Sequence, residues 1–208
     1  MLITDPAFSD ELTVRCAAEV ASSLPPGALV VQIRDKRRAE GSLRLLGWQL
    51  RIATRDHGAW LLINGRADLA RDVGADGVHL GRGSGTVAHA RGVLSRPSWI
   101  SVAAHSDEDV TRARQEGADA VLVSPVFATQ SLSRDGRRKE PRGLECLVSA
   151  RPRAGSELWV YALGGVTAAS AGRCASAGAD GVALTRALLC AEDPAREARA
   201  IHDVWAHH

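Results

Sequence analysis

The chain has 208 residues, 45% of them hydrophobic and 24% charged, which is enough to bury a full core and lies within the size range of one α/β domain. A formal charge of +2 makes no electrostatic case for nucleic-acid binding, and no apolar run approaches the roughly 18 residues of a membrane helix or follows the pattern of a secretory leader. These features predict a soluble cytoplasmic protein with neither nucleic-acid nor membrane partners. Cys16, Cys146, Cys174 and Cys190 show no close metal-ligand spacing and are expected to be small buried packing residues.

Apolar, β-branched runs bounded by Gly, Asp and Asn recur along the chain. The first four are LIT at Leu2, ALVVQIR at Ala28, AWLLIN at Ala59 and GVHL at Gly77. WISVAA at Trp99, AVLVSPVF at Ala120, LWVYALGG at Leu158 and GVALT at Gly181 follow. Helical segments such as Ser42 to Arg55 and Asp107 to Gln115 separate them, and this alternation predicts a parallel sheet. About eight strands suit a closed (β/α)8 TIM barrel forming a single domain over residues 1–208. The stretch LITDPAFSD after the first strand lacks the Gly-rich loop expected of a doubly wound open sheet.

One phrase is written three times: GADGVHL from Gly74, GADAVLV from Gly117 and GADGVAL from Gly178. Each follows a helical run and precedes an apolar one, so it reads as a helix-to-strand joint whose glycine supplies a left-handed C-cap. The unequal spacings exclude a solenoid of identical units and fit βα units with varying loops.

In such barrels chemistry gathers at the C-terminal strand ends. Gln32, Arg34 and Lys36 alternate onto one side of an extended segment and form a candidate anion clamp, against the plain reading of solvated cations at a strand end. The pair Gly164-Gly165 after strand seven and Thr185 after strand eight occupy the usual phosphate position of barrels, against the plain reading of a tight turn. His79 and His105 lack a third ligand at matching spacing, so no metal site is predicted. The basic loop 131–142 is a candidate lid over an anionic ligand.

Together VQIRDK, LLINGRADLARDVGADGVHLG, SPVFAT, ALGGV and AGADGVAL resemble, in order and over nearly the whole chain, the thiamine phosphate synthase and TenI superfamily. The resemblance implies a (β/α)8 barrel of thiamine biosynthesis that binds a thiazole phosphate at the glycine pair. In a synthase, that ligand displaces pyrophosphate from an aminopyrimidine methyl pyrophosphate with Mg²⁺. Gln32, Arg34, Lys36 and Asn64 match positions that hold the pyrimidine pyrophosphate. Thr129 and Ser131 match the Thr-x-Thr segment near the phosphates, and Gly164 and Gly165 match the phosphate-binding glycines.

The chain also departs from the synthase pattern. Gly65 and Ser84 stand where the two Mg²⁺-binding aspartates are expected, Leu132 where a lysine is, and Ala103 where a serine is. Arg82 supplies a positive charge near the missing carboxylates. Asn64-Gly65-Arg66 resembles the TenI branch, which aromatises a thiazole carboxylate phosphate by proton transfer, yet Pro125 replaces that branch's histidine. His105 then becomes the candidate acid/base. The first expectation is therefore a TenI-like barrel that binds a thiazole phosphate, with its tautomerisation as the candidate reaction and no cofactor. A divergent thiamine phosphate synthase, with Mg²⁺ only in that case, is the second. A non-catalytic phosphate-ligand-binding or regulatory relative is the third, and a homodimer is left open.

Overall fold

The computed structural model describes residues 1–95, 97–129 and 139–206. Eight parallel strands, β1 (Leu2–Ile3), β2 (Val30–Ile33), β3 (Trp60–Asn64), β4 (Gly77–Leu80), β5 (Trp99–Ala104), β6 (Ala120–Val123), β7 (Trp159–Leu163) and β8 (Gly181–Ala183), pair in chain order. Closure comes from a parallel bridge between Leu2 and Leu184, where Ile3 N–H donates to Leu184 O at 2.7 Å and Leu184 N–H to Met1 O at 2.9 Å. The fold is a (β/α)8 TIM barrel.

Between the strands run α1 (Asp10–Ser23), α2 (Glu40–Arg55), α3 (Ala67–Asp72), α4 (Val87–Leu94), α5 (Asp107–Gln115), α6 (Glu145–Ala154) and α7 (Ala168–Ser176). The short α8 (Arg186–Leu189) and the longer α9 (Pro194–Ala206) follow β8. Side-chain oxygens of Ser9, Thr86 and Ser106 accept from N–H groups in the first turns of α1, α4 and α5, and a capping box between Thr167 and Ser170 starts α7. No helix among the described residues is long and apolar enough to cross a membrane.

Alternation along each strand produces two cores. One, built from residues such as Val31, Leu61, Ile63, Val78, Ile100 and Val160, packs the barrel wall against the helices. The other fills the barrel with Met1, Ile3, Val30, Leu62, Leu122 and Ala183, joined by Trp99, Tyr161 and Leu163. Edge-on contacts link Trp60 to Trp99 and Trp99 to Tyr161, with ring centroids 6.3 and 6.0 Å apart, and these rings plug the floor. Gly77 and Gly181 make room for this layer: a Cβ on the first would strike the Trp99 backbone, and one on the second would lie 2.8 Å from the Tyr161 ring. Burial pushes the Tyr161 hydroxyl up to about 12. Above the rings the interior becomes polar, with Gln32, His79, Ser101 and Ser124 all buried.

The thrice-written phrase is explained at the floor. Gly74, Gly117 and Gly178 have φ of 67°, 73° and 95°, the left-handed cap expected of them. The aspartate two residues on makes the same contacts each time. Asp76, Asp119 and Asp180 accept from the backbone N–H of Leu61, Ile100 and Val160 on the preceding strand, at 2.7, 2.6 and 2.7 Å. Each same oxygen also meets a guanidinium from the preceding even-numbered helix: Arg51 at 2.6 Å, Arg91 at 3.0 Å and Arg151 at 2.6 Å. Those arginines in turn donate to Ala59 O, Ser98 O and Leu158 O. The clamp thus fastens β4, β6 and β8 to their neighbours and to α2, α4 and α6. Cys16, Cys146 and Cys174 are buried as expected, whereas Cys190 is exposed.

Candidate functional site

Opposite the aromatic floor, the strand ends open into a cavity of about 570 Å³. Its wall is formed by Ile3, Thr4 and Asp5 after β1, Arg34 after β2, Ser124, Pro125, Ala128 and Thr129 after β6, and Lys139. Gly164 to Thr167 after β7 and Ala183 to Ala187 around β8 complete it. The cavity brings together five of the residues predicted from sequence: Arg34, Thr129, Gly164, Gly165 and Thr185.

The glycine pair is required by close approach as well as by any ligand. Gly164 and Gly165 have φ of 101° and 64°, and their would-be Cβ atoms lie 2.9 Å from Pro125 and from Phe127 respectively. Val126 N–H donates to Leu163 O and Phe127 N–H to Gly164 O, both at 2.9 Å, so the segment after β6 is stitched onto the turn after β7. A side chain at either glycine would push these two strand ends apart.

The backbone at Arg34 is held by Thr4. The Thr4 hydroxyl, buried at the end of β1, accepts from Arg34 N–H at 2.9 Å, and Thr4 N–H donates to Gln32 O at 2.9 Å. Asp35 turns to the loop instead, accepting from Arg37 and Arg38 N–H at 3.0 and 3.1 Å. The Arg38 guanidinium bridges Asp35 to Asp10. Of the predicted trio, Gln32 lies within β2 and is buried, Arg34 follows the strand and lines the cavity, and Lys36 lies in the bend beyond it.

Gln32 is only 1% exposed, and its Nε2 donates to Asn64 Oδ1 at 3.3 Å. Its Oε1 is buried without a partner among the described residues. Beside it His79 Nδ1 meets Ser101 Oγ at 2.9 Å. Burial, together with the nearby charges of Arg34, Lys36 and His105, holds the His79 imidazole down at about 3, so the ring is neutral. It is a hydrogen-bonded residue of the barrel interior.

His105 follows β5, and its Nδ1 lies 3.0 Å from Ser124 O and 3.2 Å from Ser124 Oγ. A carbonyl only accepts, so the proton of the neutral ring sits on Nδ1. The described cavity lining includes Ser124 but not His105, which stands behind it. Arg82 is exposed in the turn after β4, where Ser84 N–H donates to Gly81 O at 3.0 Å. Lys36 is exposed at the rim, and neither it nor Arg82 lines the described cavity. Ser131 and most of the basic loop lie outside the described residues. Arg66 is engaged in ion pairs, with Asp68 at 2.8 Å and Glu40 at 2.7 Å, and its guanidinium holds Asp68 at about 2.

The positions expected to carry Mg²⁺ ligands do converge. A Cβ on Gly65 would lie 3.0 Å from Ser84 Oγ, so side chains at 65 and 84 face one another across the ends of β3 and β4. They present one hydroxyl and no carboxylate, and a hard divalent cation needs several charged oxygen ligands. This pair does not fit Mg²⁺. Among the described residues, no group of three or more His, Cys, Asp and Glu side chains is arranged to hold a metal.

Sequence reasoning missed the bond by which Thr4 holds the Arg34 backbone, and named Lys139 only as part of the candidate lid 131–142, not as a residue of the cavity wall. The first left no signal beyond a threonine at a strand end. The second was signalled by a lysine in an arginine-rich chain, in a loop after β6.

Comparison with known proteins agrees with this geometry. A thiamine-phosphate synthase from Methanospirillum hungatei is 36% identical over 185 residues, covering 89% of this chain and 87% of the relative. One from Methanoculleus marisnigri is 36% identical over 204 residues, covering 97% and 92%. The crystal structure of a thiamine phosphate pyrophosphorylase from Pyrococcus furiosus superposes with a TM-score of 0.82 at 28% identity, covering 99% of this chain and 94% of that one. The family model for thiamine monophosphate synthase (TMP-TENI) matches residues 1–188, and the chain belongs to that family.

Proposed function

We propose that this barrel is a divergent thiamine-phosphate synthase, which joins a thiazole phosphate to an aminopyrimidine methyl pyrophosphate. The observation that carries the reading is a single cavity with two kinds of anion-binding wall. Backbone at Gly164 and Gly165 lies on one side, and the cations Arg34 and Lys139 belong to the same cavity. A condensation must hold a phosphate and a pyrophosphate at once, whereas a tautomerase holds one phosphorylated ring and needs an acid/base over it. Pro125 stands where the TenI branch has its histidine, and His105 is tied to Ser124 behind the lining. The names of the relatives at 36% identity support the same choice over the TenI-like alternative.

In this reading the thiazole attacks the pyrimidine methyl carbon as that carbon's bond to a pyrophosphate oxygen breaks. One bond forms and one breaks, and the electron pair leaves with pyrophosphate. Arg34, in the cavity wall, neutralises the charge growing on that leaving group. The glycine turn fixes the thiazole phosphate through backbone N–H groups. Because Gly65 and Ser84 do not fit Mg²⁺, no step is routed through a metal.

The test is turnover with both substrates, run once with Mg²⁺ and once with excess chelator, beside a thiazole tautomerase assay. Condensation that survives chelation is the expected result. Tautomerase activity without condensation would return the TenI-like reading to first place.

A further inference from the structure

We propose that Lys139 is a ligand-binding residue, whose ammonium contacts a phosphate or pyrophosphate oxygen of the molecule held in the cavity. The inference rests on the phosphorylated-ligand reading above and gives one residue of the basic loop 131–142 a specific contact with that ligand.

Lys139 is one of only two lysines in a chain whose Lys and Arg residues number 26. It is partly buried, and it lines the same cavity as Arg34, Thr129, Gly164 and Gly165. Many of the chain's other cations are committed elsewhere. Arg38, Arg51, Arg66, Arg91 and Arg151 each hold a carboxylate within 3.0 Å. Lys139 has no such partner among the described residues. Asp5 is the carboxylate in the described lining, and its Oδ1 accepts from Ala7 N–H at 3.0 Å within its own turn.

Lys139 and Arg34 share a cavity whose described lining carries more cations than carboxylates, a surplus of positive charge that an entering anion offsets. Both cations belong to the wall of the cavity that also contains the glycine turn, so a polyanion bound there meets positive charge from β2 and from the segment after β6. Chemistry separates their roles. The Arg34 guanidinium offers a planar fork to two oxygens, whereas an ammonium on a flexible stem is a point charge that follows an oxygen as it moves. That behaviour suits the oxygens of a departing pyrophosphate.

The experiment uses inorganic pyrophosphate as the probe and binding, not turnover, as the readout. Affinity for the unaltered protein, Lys139→Met and Lys139→Arg is measured by calorimetry at low salt, where a lost charge-assisted contact is worth about tenfold or more. Lys139→Met is expected to weaken binding by that factor, and Lys139→Arg to keep most of it. In parallel, acetylation of Lys139 by an amine-selective reagent is followed by mass spectrometry and is expected to slow when pyrophosphate is added. Equal affinity in the Met variant, or unchanged acetylation while pyrophosphate is bound, would overturn the role of Lys139 and leave the proposed function standing. Absence of any pyrophosphate binding by the unaltered protein would remove both.

Discussion

Acid sensitivity of the barrel is expected to run through His79. Its imidazole is buried, bonded through Nδ1 to Ser101 Oγ at 2.9 Å, and exposed to the charges of Arg34, Lys36 and His105, which leaves it at about 3 against an ordinary 6.5. The folded-state value lies below the unfolded one, so between pH 6.5 and 3 the unfolded chain takes up a proton that the folded chain refuses. Stability contributed by the neutral ring is therefore complete above pH 6.5 and is lost as pH falls. Each pH unit in that window costs about 1.4 kcal/mol, so lowering the pH from 6.5 to 4.5 should cost about 2–3 kcal/mol. Asp68, held at about 2 by Arg66, adds its own loss mainly as the pH falls to its ordinary value of 3.8, below most of this window. The assay is urea unfolding followed by circular dichroism in buffers free of phosphate, because an anion bound in the cavity would add its own linkage. His79→Asn keeps a polar partner for Ser101 and removes the titration, so its stability should be nearly flat over the same range. Equal slopes for the parent and the variant would refute the argument.

At the floor, replacing Asp76, Asp119 or Asp180 by Ala strands a backbone N–H and an arginine each time. Each change should cost about 1–3 kcal/mol, read as a fall in melting temperature, and an unchanged melting temperature in all three would deny the clamp its role. At the mouth, His105→Ala should leave condensation within about tenfold, because the ring acts only through Ser124. A loss of about a hundredfold or more is the weight of a positioned acid/base and would favour proton-transfer chemistry instead.

Much of the fold was legible because its signals are local. Apolar runs placed all eight strands, and the glycine of each GAD copy fixed a left-handed cap that the structure shows at 74, 117 and 178. The aspartate of the same phrase was not legible as a clamp, because its partners Arg51, Arg91 and Arg151 lie 25 to 29 residues away on other elements. Arg34, Thr129 and the glycine pair were placed at the mouth by strand-end logic alone. Lys36 and Arg82 obeyed the same logic but do not line the described cavity, since strand position sets which end a residue occupies and not how far its side chain leans inward. His105 shows the same limit. A histidine after β5 is readable, but the Ser124 carbonyl that takes its Nδ1 proton belongs to a strand end 19 residues on.

The two ends of the barrel also answer to different physics. At the floor, each clamp closes a backbone N–H, a carboxylate and a guanidinium on one another, so a change to any member leaves a polar group without its partner. At the mouth, a Cβ on Gly65 would meet only the Ser84 side chain, while Gly65 N–H donates to His79 O and Ser84 N–H to Gly81 O. Neither residue belongs to either core or to any of the three clamps, so side-chain changes at 65 and 84 leave those supports untouched. The residues that set the fold are thus separate from those at the mouth, and in the proposed function it is the few cavity side chains around Arg34 and Lys139 that decide the chemistry.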